Sequence, residues 1–466
     1  MLADMEREDE LVRLREENAE LRQQLTQALE QLAIALARIA ELEQQRPKGP
    51  PPFVKPNRPA PTEPKPPRRK RAPEHNHGRR RATPTCIIRH ALERCPECNY
   101  QLRGTSIDYT RQVLEVPPSP PVDVIEHQVI KRYCPRCARW RSPTLDLRGQ
   151  VLGQGRLGVR LISLIAYLRS TLRMPVRQVV AYLAAVHGVE LSIGEIPAVL
   201  HRVRRATQET VRGLKEEARA SPVLHADETG WRENGRNGYI WTFCTPGEEA
   251  IRYYEYDRSR GQQVVARVLG SGFAGHLVSD FLGSYNVYAG AHQRCWVHLL
   301  RLLHALKETY AGETAVVAWA QAVRAVYDAS QAWVQQGERT RAEREVQYVQ
   351  RVEAIRSLAL PYARERGHAC QALAKLLLRH EDELFQFVLV EGLSADNNLA
   401  ERSLRPLVVI RKISGGSRGN EGTKTRMALA SLFGTWQARG LNPLTECLNL
   451  LRRSTNLQTE TPLPQL

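Results

Sequence analysis

Hydrophobic residues recur at heptad spacing along residues 5–45. The two seams of the heptad are Leu11, Asn18, Leu25, Leu32 and Ile39, and Leu14, Leu21, Ala28, Ala35 and Leu42. Five successive repeats predict a coiled coil, and a polar residue such as Asn18 on a seam fixes register and favours two strands. Leu29 and Leu36 widen the apolar face. A higher-order bundle, or a helix packed on the rest of the chain, is the alternative.

The hydrophobic pattern stops across residues 46–85, where prolines recur and basic residues cluster at 68–71 and 79–81. A segment of this composition cannot bury enough apolar surface to fold, so we predict a disordered linker. Its positive charge would bind DNA phosphates without reading sequence. The alternative is a solvated tether.

Two cysteine pairs lie in residues 86–145, within segments rich in β-forming residues. Cys95 and Cys98 form the first pair, and Cys134 and Cys137 form the second. A two-residue spacing allows both thiolates of a pair to reach one tetrahedral ion, so the pattern predicts a zinc ribbon. The ribbon would bind DNA or serve structure alone.

Residues 155–218 have helical periodicity. A helix over 174–186, a turn over 187–191 and a second helix from Ser192 resemble a helix-turn-helix. Pro197 falls early in the second helix, which leaves an ordinary helical hairpin as the alternative. Residues 299–390 are also helical by pattern, between two segments with different patterns.

Two short apolar strands end in carboxylates. One strand leads to Asp227, and another leads to Asp280. Between them we predict strands over 238–244 and 251–256 and a helix over 261–269. The order of three strands, a helix and a strand allows the two aspartate-bearing strands to lie side by side.

A third carboxylate, Glu401, lies on a predicted helix. Ser394 or Asp396 would cap that helix, and Pro406 would kink or end it. Taken alone, Glu401 among arginines is typical of a solvated ion-pair face. Three carboxylates brought together would repel one another unless a cation lay among them. Oxygen ligands suit Mg²⁺ or Mn²⁺, and a two-ion site supports in-line attack on phosphorus.

Composition favours a polyanionic partner. The 466 residues carry a formal charge of +17, and the pI is about 9.7. Such a balance points most simply to nucleic acid. The sequence has neither an apolar run of membrane-spanning length nor a signal peptide, so we expect an intracellular protein without a membrane partner. In a reducing compartment, its nine cysteines favour metal ligands or free thiols over disulfides.

The chain resembles transposases of the insertion sequence 66 family over nearly its whole length. The motifs that carry the resemblance are His225-Ala-Asp227-Glu-Thr229, Leu277-Val-Ser-Asp280 with Tyr285, and Asp396-Asn-Asn-x-Ala-Glu401-Arg402-x-Leu-Arg405-Pro406 followed by Arg411-Lys412. The resemblance implies a multidomain α+β protein. Its catalytic domain, over 220–298 and 391–455, would be ribonuclease-H-like, with 299–390 as a helical insertion.

The resemblance also implies a function. Asp227, Asp280 and Glu401 would form an Asp-Asp-Glu triad that binds two Mg²⁺ or Mn²⁺ ions. The enzyme would bind the terminal inverted repeats of its mobile element, cleave the 3′ ends and join them to target DNA. Homo-oligomers formed through the coiled coil, and accessory proteins of the same element, would assist. We expect a bacterial, nucleoid-associated cytoplasmic protein.

Further residues are predicted to support the carboxylate site or to contact DNA. Cys295 and His298 match a Cys-x-x-His element of the family and would support the site structurally. Four basic residues would contact DNA phosphates: Arg402, Arg405, Lys412 and Arg418. The family usually has an aromatic run after Arg-Lys, whereas this chain has glycines at 415 and 416 that would let the backbone approach DNA.

Two alternatives stay open. One is a dimeric zinc-ribbon DNA-binding regulator whose triad is vestigial. The other is a ribonuclease-H-fold nuclease or resolvase that cuts DNA without joining it.

Overall fold

The computed structural model describes residues 18–37, 83–114 and 121–457. The chain divides into two compact units, Met1–Glu115 and Val116–Leu466. In the first unit, residues 18–37 form helix α1, and its leucines, including Leu21, Leu25 and Leu32, are exposed. The predicted helix is found there, whereas its pairing with a second chain stays a prediction. The outer heptads and residues 46–82 of the predicted linker lie outside the described residues.

The second unit combines helices with a mixed sheet. Its strands are β1 (Arg132–Cys134), β2 (Arg139–Arg141), β3 (Val223–Glu233), β4 (Arg236–Cys244), β5 (Arg252–Asp257), β6 (His276–Ser279) and β7 (His292–Arg294). Its first helices are α2 (Val159–Ser170), α3 (Val176–His187), α4 (Glu195–Ala206), α5 (Gln208–Ala220) and α6 (Gln262–Leu269). The others are α7 (Trp296–Thr309), α8 (Thr314–Gln335), α9 (Arg341–Arg364), α10 (Gln371–Arg379), α11 (Gln386–Leu389), α12 (Asn398–Ser414), α13 (Asn420–Ala438) and α14 (Pro443–Leu457).

Five strands of residues 121–457 form the larger sheet, in the order β5-β4-β3-β6-β7. β3, β4 and β5 pair antiparallel, whereas β6 and β7 join β3 in parallel. The aromatic and β-branched residues of β3 to β5 suit this arrangement, because they pack well on a pleated surface. The expected neighbours β3 and β6 pair through Val223–His276 and His225–Val278. Strand β7 was not predicted, since its three polar residues have no apolar alternation.

Helix α13 covers the open edge of the sheet. The Ser431 hydroxyl accepts a hydrogen bond from the Tyr254 amide at 2.9 Å, and the Thr435 hydroxyl accepts one from the Arg252 amide at 3.0 Å. Helical hydroxyls therefore satisfy amides that a further strand would otherwise bind. Covering an edge in this way prevents pairing with another chain.

The helices of residues 155–218 do not have a core of their own. Their apolar side chains, such as Ile162 of α2 and Val199 of α4, belong to one hydrophobic cluster with Leu224 of β3 and Leu432 of α13. The predicted hairpin is present as α3 and α4, with Gly188 in the left-handed conformation between them. Pro197 is the third residue of α4, where its missing amide costs nothing.

Helices α7 to α11 lie between β7 and α12, in the range predicted to be helical. A second cluster joins them, including Trp296 of α7, Val323 of α8 and Ile355 of α9, and it also contains Val278 of β6. This helical layer therefore packs directly on the strand that leads to Asp280.

Pro406 was predicted to kink or end the helix of Glu401, and it does not end it, because α12 continues to Ser414. Its apolar face, Leu404, Leu407 and Ile410, packs in one cluster with Trp231 of β3. Burial of this face offsets the hydrogen bond that proline cannot make. The predicted caps also differ. Asn397 is the N-cap, and Asp396 accepts the Asn398 amide at 2.9 Å.

The two glycines that follow α12 both have positive φ, and their predicted approach to DNA stays a prediction. Gly415 is left-handed at φ 68° and ends the helix. Gly416 has φ 120°, and a Cβ there would overlap the Arg232 carbonyl oxygen. Ser417 then donates its amide to that oxygen at 2.8 Å. Gly416 thus permits close packing against the β3–β4 hairpin.

No helix in the described ranges is long and apolar enough to cross a membrane.

Gly416→Ala should destabilise the fold by at least about 1 kcal/mol more than Gly415→Ala. Both glycines have positive φ, but only the Gly416 position also meets backbone, since nothing lies within 4 Å of a Cβ at Gly415. Urea unfolding of both variants measures the difference. Equal losses of stability would contradict the close packing.

Candidate active site

Asp227 and Asp280 lie level with one another on two adjacent parallel strands. Asp227 is inside β3, which continues to Glu233, and Asp280 directly follows β6. The Asp227 carboxylate accepts the Glu228 amide at 2.9 Å, and the Asp280 carboxylate accepts the Leu282 amide at 2.9 Å. The sheet therefore brings the two carboxylates together as predicted, but the prediction that the first strand ends at Asp227 was wrong.

A buried arginine supports the backbone at Asp280. Arg294 of β7 is completely buried, and it donates to the Asp280 carbonyl at 2.9 Å and to Asn286 at 2.6 Å. It also forms an ion pair with Glu383 at 2.5 Å. Hydrogen bonds from His380 and Arg294 outweigh burial and lower the pKa of Glu383 to about 2. The helical layer thereby neutralises Arg294 and fixes the end of β6.

Glu401 approaches the strand ends from the first turn of α12. Its Oε1 atom lies 3.8 Å from His298 Nε2 and 3.6 Å from the Arg301 guanidinium, both on α7. These distances are too long for hydrogen bonds, and Oε1 is buried without a hydrogen-bond partner. Glu401 therefore has a carboxylate oxygen available for a further cationic ligand.

Asn397 joins the start of α12 to β3. Its side chain is fully buried, donates to the Ala226 carbonyl at 2.7 Å and contacts His225 Nδ1 at 3.1 Å. Its amide donates to the Cys295 sulfur at 3.2 Å. Cys295 thus holds the start of α12, and His298 of the same Cys-x-x-His element faces Glu401. The structure therefore places both predicted supporting residues beside the site.

Sequence reasoning missed the side chains that surround Glu228. Its carboxylate accepts the Tyr285 hydroxyl at 2.7 Å and the Arg260 guanidinium at 3.0 and 2.6 Å. Tyr285 is fully buried and follows Asp280, so these contacts join the Asp227 strand to the turn beyond Asp280. Glu228 and Tyr285 are both part of the motifs that carry the family resemblance, but those motifs gave neither residue a role.

The site has an excess of negative charge. Burial raises the pKa of Asp227 to about 7, and the charge of Glu228 adds to this effect. The charges of Asp280 and Glu401 contribute to the same increase, so both predicted partners act electrostatically on Asp227. Burial also raises the pKa of Glu228. A cation among these groups would lower the electrostatic cost of ionising Asp227.

The donor chemistry fits a divalent ion bound by oxygen. Asp227, Asp280 and Glu401 offer carboxylate oxygens, and Glu401 Oε1 has no hydrogen-bond partner. In the part of the chain that the structure describes, no three His, Cys, Asp or Glu side chains are already arranged to hold a metal ion.

The four residues predicted to contact DNA lie on or just beyond α12. Arg402, Arg405, Lys412 and Arg418 are all exposed. Their contact with DNA stays a prediction. Arg411, between them, points inward instead and donates to the Thr229 hydroxyl at 3.1 Å.

Comparison with known proteins gives the family. The sequence model described as Transposase IS66 family matches residues 154–425, which is more than half of the chain. The chain belongs to the IS66 transposase family. It is also 27% identical over 213 residues to y4qI, an uncharacterized protein of Sinorhizobium fredii (strain NBRC 101917 / NGR234). That match spans 41% of this chain and 38% of y4qI.

The family match includes the three carboxylates of this IS66 chain and leaves out its cysteine pairs. In the first unit, Asn99 follows Cys98 at φ 60°, and a backbone hydrogen bond from Cys98 lowers the pKa of Cys95. In the second unit, Ala138 follows Cys137 at φ 49°. There a backbone hydrogen bond from Cys137 lowers the pKa of Cys134. Each pair is thus a tight turn that favours a thiolate, as metal ligation requires.

Asp227→Asn should stabilise the metal-free protein at pH 8 by about 2 kcal/mol and leave its stability at pH 4 nearly unchanged. Because the folded pKa is raised to about 7, ionisation of Asp227 costs stability as the pH rises from about 4 through 7. The amide carries no charge and keeps the hydrogen bond from Glu228.

Thermal unfolding in EDTA from pH 4 to 8 measures this effect. Asp328→Asn, on the surface of α8, is the control for loss of a carboxylate. Equal pH dependence of wild type and Asp227→Asn would contradict the proposed charge excess.

Proposed function

We propose that this IS66-family chain is a DNA transposase that cleaves the 3′ ends of its mobile element and joins them to target DNA. The observation that supports this most directly is the convergence of three carboxylates: Asp227 on β3 lies level with Asp280 on the adjacent parallel strand, and the charges of both Asp280 and Glu401 raise the pKa of Asp227. The sheet order and the helices on it agree with a ribonuclease-H-like catalytic domain.

In this proposal, the three carboxylates hold two Mg²⁺ or Mn²⁺ ions. Such ions activate a water or a 3′ hydroxyl and stabilise the leaving oxygen in an in-line displacement. The protein fixes the strand ends through Arg294 and holds the start of α12 through Asn397. Arg301 is exposed beside Glu401, where it would meet the phosphate of a bound DNA strand.

DNA binding would use the basic surface of α12. Arg402, Arg405, Lys412 and Arg418 follow the helix that carries Glu401, so they would contact phosphates near the cleaved bond. The substrate would be the terminal inverted repeats, and α1 would pair two protomers through its exposed leucines. Accessory proteins of the same element complete the proposed assembly, which would act on the nucleoid.

The test is cleavage of a labelled duplex that carries the terminal repeat of the element. We expect 3′ nicking in Mg²⁺, none in EDTA, and a loss of at least about 100-fold in Asp227→Ala and Glu401→Ala. A supercoiled plasmid in the reaction reports joining of the ends.

Other results would favour the alternatives. Cleavage without joined product would support a nuclease or resolvase. Binding of the repeat without cleavage, in either Mg²⁺ or Mn²⁺ and with the accessory proteins present, would support a regulator with a vestigial triad. Glu391→Ala, an exposed carboxylate near the start of the same segment, is the matched control.

We also propose that Cys95, Cys98, Cys134 and Cys137 are zinc ligands. Each pair offers two thiolates at ligand spacing, and backbone amides stabilise their charge. Because such small elements have little apolar core, zinc would supply much of their folding free energy.

Cys98→Ser should therefore lower the zinc content of purified protein and increase proteolysis within residues 83–145. Cys86→Ser, at an exposed cysteine outside the two pairs, should change neither. Metal analysis and limited trypsin digestion provide the two measurements. An unchanged zinc content would contradict the assignment.

A further inference from the structure

Arg426, in the second turn of α13, is a cation without an anionic partner. Its guanidinium lies 5.7 Å from the centre of the Trp231 ring. Its Nε atom is buried and has no hydrogen-bond partner. Among the residues of the described ranges, none forms a salt bridge with Arg426. An arginine held in this way is unusual, because buried charges are normally paired.

A second buried arginine lies close enough to affect it. Arg169, in the last turn of α2, is only 7% exposed and donates to the Met174 carbonyl at 2.9 Å. Helices α2 and α13 pack against each other. Burial, together with the charge of Arg169, lowers the pKa of Arg426 to about 9. Two cations therefore share a poorly solvated region in which no carboxylate compensates them.

The protein itself compensates little of this cost. The face of Trp231 attracts the guanidinium, but a ring cannot accept the hydrogen bond of the Nε atom. The Arg169 contact uses one neutral carbonyl and leaves its charge unpaired. A tetrahedral oxyanion would satisfy both, because a planar guanidinium fork matches phosphate oxygens.

The contact of Arg426 with Trp231 places the two arginines on the same side of β3 as the carboxylate site. Trp231 lies four residues after Asp227, so both side chains are on the same face of β3 and about 13 Å apart along the strand. Arg426 is half-buried, which leaves its outer atoms open to solvent. A DNA backbone running beside β3 would thus pass both Asp227 and Arg426.

We propose that Arg169 and Arg426 form a binding site for a phosphate group. If the proposed transposase function holds, that group is a DNA backbone phosphate outside the cleaved bond, and the site fixes the register of the DNA end. The phosphate-binding site itself does not depend on the chemistry at Asp227. Its test can therefore fail or succeed separately from the cleavage assay.

The first experiment measures stability with inorganic phosphate as the probe. Arg426→Met removes the unpaired charge and keeps apolar contact with Trp231, so its melting temperature should exceed that of wild type in phosphate-free buffer. Phosphate should raise the melting temperature of wild type more than that of the variant, at matched ionic strength. A purely structural Arg426 predicts the opposite, namely a less stable variant with an unchanged phosphate effect.

The second experiment measures binding of a DNA duplex against salt concentration, in Ca²⁺ to prevent cleavage. Arg426→Met should weaken binding roughly tenfold at low salt and reduce the slope of log K against log salt by about 0.9. Arg426→Lys should restore part of the slope, because it keeps the charge without the fork.

Arg324→Met, an exposed arginine of α8, is the matched control for loss of one positive charge. It should change the slope less than Arg426→Met. If Arg426→Met changes the phosphate effect on the melting temperature but not the salt slope of DNA binding, the site does not bind a DNA backbone phosphate. It is then a site for a small phosphate compound. If Arg426→Met reduces neither the effect of phosphate on the melting temperature nor the salt slope of DNA binding, the proposed phosphate site is overturned.

Discussion

The geometry of the site depends on one buried residue, Asn397. Its side-chain amide donates to the backbone of β3 beside Asp227, and its backbone amide donates to the Cys295 sulfur just before α7. An amide can donate and accept at once, so a single residue fixes three elements without introducing charge. The position of Glu401, one turn further along α12, follows from that attachment.

Around Asn397, acidic and basic side chains occupy separate regions. Acidic groups cluster at the strand ends, where Glu228 is neutralised by Arg260 and the end of β6 is held by the Arg294–Glu383 pair. Burial and the neighbouring negative charge of Glu228 raise the pKa of Asp227. Basic side chains line α12 outside this cluster. Divalent cations at the centre and a polyanion outside would satisfy both regions.

Much of the secondary structure around the site follows from local sequence. The strands that carry or lead to Asp227 and Asp280, the helix of Glu401 and the turns of the cysteine pairs are each specified by neighbouring residues. The errors arose where distant contacts outweighed local preference. Pro406 stays within α12 because Leu404 and Leu407 are buried on the sheet. Gly416 serves the β3–β4 hairpin, which no local pattern links to residue 416.

The sequence by itself determined which carboxylates are proposed to carry the chemistry, since residue type, spacing and strand order are properties of the chain alone. Tertiary structure alone decided which side chains support them. Tyr285, Arg260 and Glu228 are far apart in sequence, and β7 is too short and polar to be recognised before it pairs with β6. Their roles depend on burial and on contacts between distant segments, which form only when the sheet and its helices have packed together.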